Sequence, residues 1–213
     1  MTFYDKLQYL PVIIPVLIAA AVLHELAHAA VATWLGDPTP KNQGRLTLNP
    51  IKHLDPFGSA MFLFTYLFTS VTFGWARPVM VQRNRFRKPQ RDMALVAIAG
   101  PLVNFAIGIV LVALVVHVIP PAQGPYVTEI LRAAISINIV LSVFNMLPIP
   151  PLDGSRIVGA FMPRAMYEDW SKLDEYAIFF FLIIFLIFQN QFSILIGDGS
   201  QLVYNLMLTI VGA

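Results

Sequence analysis

The chain has 213 residues, no cysteine and a net charge of +2; 57% of it is hydrophobic and 12% charged, and its mean hydropathy is +0.70. Soluble domains carry about twice that share of charge. These figures exclude an ordinary soluble domain, a disulfide framework and a thiolate metal site, and the small net charge gives no reason to expect a nucleic-acid partner.

Several apolar runs are long enough to cross a bilayer. The expected fold is therefore an all-α polytopic membrane protein with about five to six membrane-embedded helical segments. The first ten residues, MTFYDKLQYL, lack the basic region and cleavage site of a signal peptide, so the first apolar segment is expected to stay as a membrane helix. That helix is read over 9–35. Pro11 and Pro15 fall in its first turns, where proline is best tolerated, and Gly36, Asp37, Pro38 and Pro40 stop it. A polar loop rich in turn residues follows over 36–56, with RLTL (45–48) as a short strand. The apolar run 57–73 is at the lower limit for a span. Pro78, Val79, Met80 and Val81 then read as an extended edge strand, because Val79 and Val81 alternate and proline suits an edge. The basic loop continues through Arg83, Arg85, Arg87, Lys88 and Arg91.

The next apolar helix is expected over 93–118, and Pro120, Pro121, Gly124 and Pro125 make an uncharged turn into another over 126–147. FNMLPIPPLDG (144–154) breaks the apolar pattern with three prolines and a glycine. Residues 155–175 are mixed and interfacial in character. A C-terminal membrane helix is expected over about 176–196, and 201–211 is too short for a span. The whole chain reads as one integral membrane domain, 1–213, with a core at about 9–160.

The chemistry is concentrated at His24, Glu25 and His28, in the order His-Glu-x-x-His inside an apolar helix. Positions i and i+4 share a helix face, so the two imidazoles can address one metal ion. Glu25, one position on, can reach a water held there and take its proton. Histidines merely packing a buried helix are the plain alternative, but two His and a Glu in an apolar segment are costly without a compensating partner. A catalytic zinc site needs a third protein ligand. His53, in the loop beside Lys52, and His117, at the far end of its helix, are poor candidates. Asp153 is better: a carboxylate after Pro148, Pro150 and Pro151, with Gly154 permitting a sharp turn.

HELAH in a first membrane helix, AGPLVN at 99–104 and FNMLPIPPLDG at 144–154 together resemble the site-2 protease family, the intramembrane zinc metalloproteases of peptidase family M50. The resemblance covers most of residues 20–160. It implies His24, His28 and Asp153 as ligands of one zinc ion per chain, and Glu25 as general base. It implies that Asn145 and Asn104 lie near the site, where an amide can donate to a developing oxyanion; an interhelical hydrogen bond is the other reading of Asn104. Residues 78–81 resemble the edge strand that holds an unwound substrate, since unpaired backbone groups accept an extended peptide. The implied partners are a single-pass transmembrane protein substrate and the lipid bilayer of a prokaryotic cytoplasmic membrane. No PDZ or regulatory domain is visible, so a compact membrane core is expected.

Charge placement gives a topology. With the basic loop 76–92 on the cytoplasmic side, 93–118 runs outward and 126–147 returns, which leaves Asp153 near the cytoplasmic face. HELAH can match that depth only if 57–73 enters and leaves through one face. Two rival functions use the same residues: a membrane metal-binding or transport protein, and an inactive protease-like protein that binds membrane helices. A transporter would line a continuous path with polar groups, whereas the ionisable residues here gather at one depth. The intact Glu25 speaks against inactivity.

Overall fold

The computed structural model describes residues 3–69, 72–119, 125–173 and 176–213, and in them the chain is helical with no sheet. Among the described residues four helices are long and apolar enough to cross a membrane: α1 (Phe3–Trp34), α4 (Pro89–His117), α5 (Pro125–Asn145) and α9 (Gln189–Val211). Large apolar side chains such as Phe57, Phe64, Phe161, Tyr126 and Leu186 stand exposed around the outside. In water that surface would aggregate; in lipid it is solvated. The protein is a multi-pass integral membrane protein.

α1 begins at Phe3, six residues before the start expected from sequence, and runs straight through Pro11 and Pro15. An apolar helix supported by its neighbours tolerates the missing proline N–H. Gly36, at φ +109°, ends it; the chain folds back so that Asp37 N–H donates to Ala32 O at 2.9 Å. Only glycine takes such a φ without strain.

The loop 36–56 holds the short helix α2 (Thr39–Asn42) and a 3-10 turn, Pro50–Lys52. RLTL does not form the expected strand. Asp55 caps α3 (Pro56–Phe68) by accepting from Gly58 N–H at 2.7 Å. At 13 residues α3 is about 20 Å long, well short of a bilayer core. It is not a span, because the chain doubles back along it. Phe73 N–H donates to Thr65 Oγ at 2.9 Å, Leu54 bridges Ala76, and Arg77 N–H donates to His53 O at 2.8 Å. Two glycines make that return possible: a Cβ on Gly74 would lie 2.5 Å from Phe62 Cβ, and one on Gly58 would lie 2.1 Å from Trp75 O. Both ends of the segment therefore sit side by side.

The edge strand expected at 79–81 does not form. Among the described residues the strand-type pairing is the single bridge Leu54–Ala76. A strand needs a ladder partner, and here side chains hold the segment instead, as detailed below.

α4 is the most buried span and packs against α1, α5, α9 and α6 (Asp153–Gly159). The turn expected at 120–125 lies outside the described residues except for Pro125, the first residue of α5. α7 (Arg164–Lys172) fills the stretch read as interfacial. The helix expected over 176–196 is two helices: α8 (Ala177–Ile187) and α9, divided at Phe188, whose φ −108° and ψ 25° are not helical. Asp198, Ser200 and Gln201 interrupt the hydropathy of α9 and hide its 23 residues from a reading by apolar runs. Phe181, Phe185 and Phe192 pack with Leu152 just ahead of Asp153. Met207 seats α9 on Val112 and Ile139.

Candidate active site

His24 and His28 are buried on one face of α1, with ring centroids 4.6 Å apart. Asp153 enters from α6. Its Oδ2 lies 3.2 Å from His24 Nε2 and 3.3 Å from His28 Nε2. The three side chains offer donor atoms all within 4.8 Å of one another. Two imidazole nitrogens and a carboxylate oxygen form a set suited to zinc and to several other divalent ions.

The tautomers follow from the remaining contacts. His24 Nδ1 is 2.6 Å from Asn104 Oδ1, and His28 Nδ1 is 2.8 Å from Val96 O. Both partners only accept, so each Nδ1 carries the proton and each Nε2 lone pair points at the shared space. Asn104 is fully buried on α4 and donates its own amide hydrogens to Ala20 O on α1, at 3.3 Å, and to Asn138 Oδ1 on α5, at 2.9 Å. It thus makes the interhelical bonds weighed for it, and both of its N–H groups are engaged. Asn145 donates to Leu141 O on its own helix at 3.0 Å and makes no hydrogen bond to the three clustered side chains.

Space for an ion depends on Gly100. A Cβ there would lie 2.5 Å from Nε2 of both histidines, so only glycine leaves their lone pairs unobstructed. Gly154 plays a similar part for Asp153, since its Cβ would lie 2.2 Å from Met146 O and 2.4 Å from Leu147 O. The other two histidines are occupied elsewhere. His53 Nε2 donates to Thr47 O at 2.9 Å, and His117 Nε2 to Val211 O at 2.9 Å.

Glu25 does not join the cluster. Its Oε2 accepts from Val79 N–H at 3.0 Å, which brings the segment 78–81 directly against it. Arg45, 4% exposed, donates to the carbonyls of Lys52, Arg77 and Pro78 and so grips the start of that segment. Burial and the nearby Arg77 pull the Arg45 guanidinium down from its ordinary value, while Glu25 pulls it back up.

Sequence reasoning missed Gly100, Asn138, Asp37 and Arg45. Asn138 left a legible trace: with Ser142 and Asn145 it forms a polar stripe at i, i+4 and i+7 in the otherwise apolar last part of α5, residues 137–145. Gly100 left none.

The arrangement agrees with what this chain is similar to. The family model described as "Peptidase family M50" matches residues 121–189. "Putative zinc metalloprotease YwhC" of Bacillus subtilis is 40% identical over 193 residues, covering 85% of this chain and 83% of that protein. "Putative zinc metalloprotease Rip2" of Mycolicibacterium smegmatis is 29% identical over 76% of this chain and 60% of its own length. The Rip2 of Mycobacterium tuberculosis is 27% identical over 77% and 62%. No solved structure matches the chain.

Proposed function

The chain belongs to peptidase family M50 and is a site-2-protease-like intramembrane zinc metalloprotease, and from that premise we propose how its residues divide the work. His24, His28 and Asp153 hold one zinc ion per chain. The observation that carries this is the convergence of two Nε2 lone pairs and Asp153 Oδ2 on one point, with both Nδ1 protons tied outward. Zinc at these donors supplies polarisation of the scissile carbonyl and a more acidic water.

Glu25 acts as the general base. It removes a proton from the attacking water as the C–O bond forms and delivers it to the leaving amine as the C–N bond breaks. Asn104 keeps the His24 ring turned toward the metal, which is the role its hydrogen bonds support. The substrate is a single-pass transmembrane protein. Its helix hides its amides in internal hydrogen bonds, so it must unwind before attack, and Pro78, Val79, Met80 and Val81 lie where an extended peptide would meet the base. The active site faces the cytoplasmic side of a prokaryotic cell membrane, because the basic residues of 76–92 flank it.

Metal content and cleavage together test the assignment. Purified wild type should hold about one zinc per chain; Asp153→Ala should lose it; Glu25→Gln should keep it and cleave nothing. Zinc retained in Asp153→Ala would remove Asp153 from the ligand set, and cleavage by Glu25→Gln would remove Glu25 as the base.

A further inference from the structure

Asp37 reads in the sequence as part of a helix stop, yet its side chain is completely buried. A buried carboxylate is costly unless donors satisfy it. Oδ1 accepts from Thr39 N–H at 3.0 Å and from Thr39 Oγ at 2.5 Å; Oδ2 accepts from Gln82 N–H at 2.7 Å; Arg85 Nε lies 3.8 Å away. The Thr39 bonds are local turn bonds. The Gln82 bond spans 45 residues and fastens the segment after Ala76 to the end of the helix that carries HELAH.

The same segment is held at its other end by Arg45, through the carbonyls of Arg77 and Pro78. Between these two clamps, Val79 N–H reaches Glu25, while the backbone groups of Met80 and the N–H of Val81 have no hydrogen-bond partner among the described residues. A stretch pinned at both ends and open in the middle has fixed register without being part of a sheet. Backbone of that kind is the ordinary acceptor for an added strand.

We propose that Asp37 and Arg45 are positioning residues that hold residues 78–81 in fixed register beside Glu25, as a template on which the substrate backbone is drawn out. The proposal rests on the protease reading above. Neither residue touches the substrate. Each acts through the segment it clamps.

Because the chain has no cysteine, Met80→Cys gives a single reactive probe on the template. A substrate carrying one cysteine, walked through consecutive positions around its cleavage point, is mixed with the full-length protein and oxidised. With Asp37 and Arg45 intact, cross-links should peak at every second substrate position, the period of an extended strand. Asp37→Ala and, separately, Arg45→Gln should flatten that alternation. In chains without the probe the same substitutions should raise KM by about tenfold or more while zinc content holds, with some loss of thermal stability from the buried hydrogen bonds they remove. Alternation and KM unchanged in both variants would overturn the proposal, as would zinc content falling in step with activity. So would an absence of cross-links with both clamps intact. If one variant does not fold, the other still decides. The cross-link pattern needs no turnover, so it is independent of whether Glu25→Gln still cleaves, which tests the protease reading by itself.

Discussion

His24 Nδ1 and Asn104 Oδ1 lie 2.6 Å apart across 80 residues of chain, and both are buried. The bond aims the imidazole, and removing its acceptor orphans a buried N–H. Asn104→Ala should weaken zinc binding by about 10- to 100-fold, the usual effect of losing such a supporting partner. Competition against a chelator of known affinity measures this. Zinc affinity within twofold of wild type would show that the ring orients without help.

Gly100→Ala should abolish zinc binding at ordinary free-zinc concentrations. An alanine in mid-helix is normally about 0.5–1 kcal/mol better than glycine. Here its methyl would sit 2.5 Å from both metal-facing nitrogens. Gly108→Ala is the control on the same helix: its methyl would meet the far end of Met207, which can swing aside, so zinc content should not change. Metal analysis of the two purified variants separates them.

At Gly154 the obstacle is backbone. A methyl there meets the carbonyls of Met146 and Leu147, which cannot swing away. Gly154→Ala should move Asp153 and reduce zinc binding, with destabilisation of order 1–3 kcal/mol from overpacking. Thermal scans with excess zinc and with chelator should converge in this variant, because there is little bound metal left to add stability.

Asp37 joins the backbone of Gln82 to the turn at Thr39, so the loops 36–56 and 76–92 must leave the membrane on one side. Single cysteines at Lys41 and Gln82, both exposed, should react with an impermeant reagent from the same face of sealed vesicles. Labelling from opposite faces would contradict the doubled-back course of 54–76.

Much of this was open to a reading of the sequence, and the rest was not, for physical reasons. HELAH is legible because a helix fixes i to i+4 geometry locally. Asp153 is legible because a carboxylate and a turn inside an apolar run need a reason. The doubled-back course of 57–73 followed from matching the depths of those two motifs. The role of Gly100 within AGPLVN was not legible, since its meaning is an absence of atoms facing a helix far away in sequence. The strand at 79–81 was misjudged because alternation reports which side chains are exposed, and says nothing about whether a partner strand exists. α9 was missed because Asp198, Ser200 and Gln201 lower its hydropathy while leaving its length intact.

The amide of Asn104 has one further consequence. It ties α1, α4 and α5 together through Ala20, His24 and Asn138, and none of these bonds uses an atom that faces the ion. A zinc finger is stapled by its metal and unravels without it. Here the helices are fastened to one another by bonds that do not pass through the proposed metal donors, so the bundle should keep its fold when the ion is removed. Stripping and refilling should then be exchange reactions on a standing framework, and a coloured ion such as cobalt should seat as a reporter without refolding the chain.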